Sequence, residues 1–274
     1  MNSLPSHPVN DCLDIAIDHR LSALFKPITK KASLKFHQDP GLCLDRLAAV
    51  NTTRNVPEDE VRITRQFFNS GWLEGITIIL LQPSNTHPYG KGFASVLEEC
   101  PTYCFLNEAF KAVSCGTLQL GDGTLSIIDS APFIRPCDCA PVKCKREMRR
   151  QTGRIICAKK PSVALCMWQD KEGVPSRMTE VQSMGVGKDF KNSNICFNGE
   201  HLERVSSFHP SYAANYNPHA SCFRQLLLLN ISQACAIYED GFWHEEEWMK
   251  ELKERCTTQA SAMSSKLTTL IEVL

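Results

Sequence analysis

The sequence predicts an α/β protein built on a mostly parallel sheet. Two observations carry this: apolar, β-branched runs that break at a proline into a polar loop, and amphipathic helical stretches between those runs. The clearest runs are Ile78-Ile79-Leu80-Leu81-Gln82-Pro83-Ser84 and, far downstream, Val205-Ser206-Ser207-Phe208-His209-Pro210-Ser211. Each has the form of a buried strand that delivers a loop to the carboxyl edge of a sheet, where α/β proteins gather their ligand-binding residues.

The elements follow in order. Residues 1–55 hold Pro, Ser, Asn and Lys with only short apolar runs, and read as an N-terminal arm, partly disordered, with one helix near Pro40 to Ala49. A domain over 56–240 comes next. Pro57-Glu58-Asp59-Glu60 is a helix start, since proline tolerates the first turn and carboxylates favour the positive end of the helix dipole. Val61, Ile63, Phe67 and Phe68 give that helix an apolar face. The first strand is expected over Gly75 to Leu81, a helix over Thr102 to Val113, and a second strand from Leu125 to Asp129, just before Pro132.

Ser162 to Trp168 is the third strand, and the fourth runs through Arg204-Val205-Ser206-Ser207. Strands that alternate with helical connectors imply right-handed crossovers and parallel pairing. Cys222 to Tyr238 carries Phe223, Leu226, Leu227, Leu229, Ile231, Ala234 and Ile237 on a broad helical face that packs on the sheet. Residues 241–274 form a charged helical extension with Trp248, Leu252, Leu267 and Leu270 as sparse anchors.

A chain of 274 residues, 43% of them hydrophobic, can bury one full core. Its formal net charge of zero gives no global case for nucleic acid or membrane, so such a partner must meet a local patch. No stretch reaches the roughly 18 to 20 apolar residues of a membrane helix, and the N-terminus lacks the pattern of a secretory signal. The 14 cysteines are scattered through strands and helices, which suits free thiols in a reducing compartment. An intracellular protein, nuclear or cytoplasmic, is expected.

Leu80-Leu81-Gln82-Pro83-Ser84, Gly92-Phe93 ten residues beyond the proline, Asp129 closing a strand, and His209-Pro210-Ser211 before a helix together resemble the uracil-DNA glycosylase superfamily. The resemblance spans Gly75 to Tyr238, and the His-Pro-Ser tripeptide is its strongest part. It implies a three-layer α/β/α sandwich with about four parallel strands. The implied activity is to flip a damaged or deaminated base out of DNA and hydrolyse its N-glycosidic bond.

In this chemistry water attacks the sugar carbon while the base leaves as an anion, so the site must hold the water and stabilise the base's negative charge. The resemblance gives the second task to His209, as a neutral donor, and the first to Gln82. It makes Phe93 the aromatic that stacks on the base and Asp129 the reader of the base edge. Pro83, Ser84 and Ser211 fall on the DNA backbone, and Tyr212 is the side chain that wedges into the vacated stack. The expected partner is DNA, met by a monomer without a cofactor.

Two positions depart from the family pattern. Gln82 stands where members carry Asp or Asn; its amide can hold a water but cannot take its proton at neutral pH. His87, in His87-Pro88-Tyr89, is a substitute base. Asp129 stands where an amide usually reads the imide edge of uracil. An ionised Asp129 accepts from N3–H but repels O4; unless its pKa is raised it suits a base that presents an amino donor, such as cytosine or adenine, and uracil is therefore expected not to be the best ligand.

The stretch holding Lys143, Lys145, Arg146, Arg149, Arg150, Arg154, Lys159 and Lys160, with Glu147 as its one acidic residue, puts several cations on one helical face that suits phosphates. Cys137-Asp138-Cys139 with Cys144, beside Cys100, Cys104 and Cys115, matches neither an iron–sulfur nor a zinc spacing.

Ordinary structural readings stand beside these. His209 can be a capped loop histidine, Phe93 core, Asp129 a turn residue, Tyr212 a loop aromatic, and the basic run a solvated face. The rival function is a module of the same fold that binds nucleic acid or a nucleobase without cleaving it, favoured by the lost carboxylate and glycine of the first loop. A serine hydrolase with Ser84 as nucleophile lacks the Gly-x-Ser-x-Gly elbow.

Overall fold

The computed structural model describes residues 8–30, 56–71, 73–80, 83, 87–122, 124–129, 132–133, 155–156, 159–167, 194–197, 200–211, 213–214 and 221–272. The protein is a three-layer α/β/α sandwich around one sheet. Its strands are β1 (Ile76–Leu80), β2 (Ser126–Asp129), β3 (Val163–Cys166), β4 (Asn194–Phe197) and β5 (Glu200–Ser206), in the order β2-β1-β3-β5-β4. β2, β1, β3 and β5 pair in parallel, and β4 pairs antiparallel on the outside of β5. Every residue of β1 and β3 is buried, as expected of parallel strands covered on both faces, which is why both read as unbroken apolar runs.

Among the described residues, the α-helices are α1 (Pro8–Ser22), α2 (Glu58–Asn69), α3 (Phe93–Glu99), α4 (Pro101–Val113), α5 (Ser221–Asp240) and α6 (Glu247–Glu272). α2 begins at Pro57 with three acidic residues in its first turn and buries Ile63, Phe67 and Phe68, the face its sequence gives it. It packs on β2, while α5 lies against β3, β5 and β1. Full burial of a side chain such as Phe68 contributes about 1.5–3 kcal/mol.

At the amino end of the sheet, Lys159 donates from Nζ to the Ser70 carbonyl at 2.6 Å and to the Ser126 hydroxyl at 3.0 Å. The Ser126 hydroxyl in turn donates to the same Ser70 carbonyl at 2.8 Å. This knot ties the end of α2 to the starts of β2 and β3. Lys159, counted from sequence among the surface cations, is therefore interior at 1% exposure, and burial lowers its pKa to about 8.

Two expectations about the ends of the chain change. α1 lies within the expected arm, yet buries Ile17 and Leu21 in a cluster with Trp248, Met249, Leu252 and Cys256 of α6 and Cys222, Phe223 and Leu229 of α5. The expected C-terminal extension is packed in the same cluster. α1 escapes a pattern search because only one narrow stripe of it is buried, while Leu13 and Ile15 face solvent. The helix expected near Pro40 to Ala49 lies outside the described residues, as do the side chains of Leu267 and Leu270. Among the described residues, no helix is long and apolar enough to cross a membrane.

Candidate functional site at the carboxyl edge of the sheet

β1 has β2 on one side and β3 on the other, so the chain's direction of travel across the sheet reverses there, the place where open α/β sheets bind ligands. The register aligns Leu80 with Asp129 and Cys166 with Ser206, which sets Asp129 and the His209 loop on the same edge. Three strand intervals, about 14 Å, separate the ends of β2 and β5.

The His209 loop is held from both sides. Ser207 donates its backbone N–H to the Cys166 carbonyl at 2.8 Å, and its hydroxyl accepts from Asn230 of α5 at 2.9 Å. Phe208 packs edge-on against Phe223 at 6.1 Å between ring centroids. After Pro210 the chain enters a helical turn, with the N–H groups of Ala213 and Ala214 both donating to the Pro210 carbonyl.

His209 Nδ1 lies 2.7 Å from the Ser211 hydroxyl and accepts the Ser211 backbone N–H at 3.3 Å. A nitrogen that accepts a backbone N–H carries no proton, so the Ser211 hydroxyl also donates to it and the ring's proton sits on Nε2. Burial lowers the pKa of His209. The result is a neutral imidazole with a fixed tautomer whose Nε2–H is the one donor it offers a ligand. The Ser211 hydroxyl proton is spent on the ring, which makes Ser211 an orienting residue; a phosphate would have to meet other donors.

Asp129 closes β2. Its Oδ1 is sealed from solvent and has no hydrogen-bond partner among the described residues. Burial raises its pKa to about 8, so it is a neutral acid in neutral solution. This removes the ground for disfavouring uracil, because a protonated carboxyl presents a donor and an acceptor side by side, as the family's amide does. Tyr89, in the short 3-10 turn Tyr89–Lys91, and Tyr103 of α4 both feel the Asp129 charge and have raised pKa values, chiefly through burial.

His87 stacks obliquely on Tyr103 at 5.3 Å and meets Tyr89 edge-on at 5.6 Å. Its Nδ1 is also buried without a partner among the described residues. Burial holds its pKa near 4, which makes it a feeble proton acceptor at neutral pH and weakens its candidacy as the substitute base. Phe93, following Gly92 at the start of α3, is half-buried and packs edge-on against Phe67 at 4.8 Å, with Phe67 tilted against Tyr103 at 5.3 Å. It belongs to an aromatic cluster with Phe67, Tyr103 and His87 and is braced by the core.

The structure thus describes His209, Asp129, Phe93, Ser211 and the buried Pro83 at or beside this edge. Gln82, Ser84, Trp168, Tyr212, Arg146, Arg149 and Arg150 lie outside the described residues, as do Cys137, Cys139 and Cys144. Seven described cysteines, Cys100, Cys104 and Cys115 among them, are free thiols. Sequence reasoning missed Tyr103 because its helical phase marks it only as core; that its ring meets His87 is a tertiary fact. No protein-family model matches the chain, and no curated protein is similar to it in sequence.

Proposed function

We propose that this protein is a DNA glycosylase of the uracil-DNA glycosylase type, which draws a damaged or deaminated base out of DNA and hydrolyses its N-glycosidic bond as a step of base excision repair. The observation that carries the reading is the His209 turn: a neutral imidazole held by Ser211 with its one free donor on Nε2, at the same sheet edge as a neutral Asp129. A neutral donor stabilises a departing base anion without having to give up a proton, and a preorganised one costs no reorganisation as charge develops. Asp129 and the rings of Phe93 and Tyr103 fit the reading and stacking of a planar base. A nuclear, monomeric protein with DNA as its partner goes with this reading.

The second reading, a nucleic-acid or nucleobase-binding module without cleavage, is favoured by Gln82, which cannot deprotonate the attacking water.

The test is cleavage of labelled single- and double-stranded DNA carrying uracil, hypoxanthine, xanthine or a G·T mismatch, with binding read on the same samples. Abasic product that falls by about 100-fold or more in His209→Ala supports the glycosylase, in line with the usual loss of an oxyanion-type donor. Salt-sensitive binding without product in the wild type supports the module.

A further inference from the structure

Two buried cysteines meet across the interface between α5 and α6. Cys222 is the second residue of α5, and Cys256 continues along α6 the buried stripe of Trp248 and Leu252, each four residues from the next. The Cys256 thiol donates to the Cys222 carbonyl at 3.1 Å and also hydrogen-bonds to the Cys222 side chain. Cys222 Sγ lies 2.7 Å from Gln259 Oε1, one turn further along α6. Cys166 and Cys235 are as deeply buried, but the charges that act on them are those of Arg204, and of Lys26 and Glu239.

We propose that Cys222 and Cys256 form a disulfide when the protein meets hydrogen peroxide, and that this bond locks α6 onto the first turn of α5. The Cys222 thiolate attacks one peroxide oxygen: an S–O bond forms, the O–O bond breaks, and the other oxygen leaves as water after taking up a proton. Cys222 is then a sulfenic acid. The Cys256 sulfur attacks the Cys222 sulfur, the S–S bond forms, the S–O bond breaks, and the hydroxyl leaves with the Cys256 proton as a second water. Two thiols are oxidised, one peroxide is reduced, and the protein loses two hydrogens.

The neighbours assign the two roles. The hydrogen bond from Cys256 and the charge of Arg255 lower the pKa of Cys222 against the effects of burial and Asp14, so Cys222 is the attacking thiol. The pKa of Cys256 is raised, chiefly by the same hydrogen bond, which suits the resolving partner. Burial raises the pKa values of Cys166 and Cys235, that of Cys235 to about 12, and leaves both as inert core thiols. At 0% and 3% exposure the pair is closed to bulky disulfides while α6 is docked, so the oxidant is a small peroxide.

The bond would close a loop between residues 34 apart in sequence, which constrains the unfolded chain. Its reach extends to the His209 loop. Phe223, next to Cys222, packs edge-on against Phe208 at 6.1 Å, and Ala213 is buried in the same cluster as both cysteines.

The test is treatment of the full chain with hydrogen peroxide at rising ratios, followed by thiol blocking, digestion and mass spectrometry, with urea unfolding on the same samples. The wild-type digest should contain the Cys222 and Cys256 peptides joined, lighter by two hydrogens, while Cys166 and Cys235 are still thiols. Oxidised wild type should unfold at a urea concentration about 1 M above that of the reduced protein, as expected of a cross-link over a loop of this length, and dithiothreitol should erase the shift. Cys256→Ser should stop at a sulfenic acid on Cys222, trapped by dimedone. Reaction of other cysteines is read in Cys222→Ser, which should show no shift of the midpoint.

Oxidation of Cys166 or Cys235 ahead of the pair, Cys222 passing to sulfinic acid without the joined peptide, or a joined protein with an unchanged midpoint would each overturn the proposal. The decisive readings come from the wild type, so they stand even where a variant fails to fold.

Discussion

Asp129, half-buried with its Oδ1 sealed from solvent, and the buried Lys159 stand at opposite ends of the sheet, and their titrations act on stability with opposite signs. The folded-state pKa of Asp129 is raised from 3.8 to about 8, so between these values the folded chain binds more protons than the unfolded one and stability falls as pH rises. For Lys159 the value is lowered from 10.5 to about 8, so above 8 the unfolded chain binds more protons and stability rises with pH. Each group contributes a slope of about 1.4 kcal/mol per pH unit within its window. The expected outcome is read in differences between wild type and variant, as urea-unfolding free energies from pH 5 to 10, because the lowered pKa values of His87 and His209 oppose the Asp129 slope below about pH 6.5 and the raised one of Cys235 opposes the Lys159 slope above about pH 9. The stability of wild type relative to Asp129→Asn should fall as pH rises towards 8, and that relative to Lys159→Met should rise with pH above 8; a difference from Asp129→Asn that does not change with pH would contradict the raised pKa of Asp129.

Elements were legible where one local pattern decides them. α2 follows its Pro-Asp-Glu start, and β1 and β3 follow their apolar runs because a parallel strand covered on both faces needs no alternation. β4 was missed because an antiparallel edge strand is a hairpin partner to Glu200–Ser206, and its four residues carry no alternation strong enough to separate it from a loop. The site was legible to the same depth: strand ends place Asp129 and His209, but the tautomer of His209, the neutrality of Asp129 and the nearness of Tyr103 come from tertiary burial. Gly71 shows how tightly the elements meet. Its φ of +85° is a left-handed conformation, and a Cβ there would lie 2.0 Å from the Ser126 hydroxyl oxygen and 2.4 Å from the Ser126 nitrogen. Backbone atoms of β2 cannot withdraw, so Gly71→Ala should cost about 2–4 kcal/mol, more than left-handed strain alone, and lower the urea midpoint accordingly.

At the scale of the whole molecule, both ends of the chain converge on α5, the helix that follows the His209 loop. Asp14 of α1 pairs with Arg255 of α6 at 2.6 Å and contacts Ser221 at the start of α5, while Gln225 donates to the Asp14 carbonyl and to Asp18, each at 3.2 Å. Cys256 donates from Sγ to the Cys222 carbonyl at 3.1 Å. Ala213, in the turn after His209, is buried in this same cluster, and Phe208 packs against both it and the main core. The terminal helices therefore buttress the loop that orients His209. Leu252, at 1% exposure in α6, touches no proposed site residue, yet Leu252→Ala should cost about 2–5 kcal/mol through the cavity it leaves. Hydrogen exchange should separate two kinds of loss. If the terminal cluster supports the loop, amides of 207–214 exchange faster in the variant than those of β1 and β3; if α6 is an independent appendage, acceleration stays within α1, α6 and the first turns of α5.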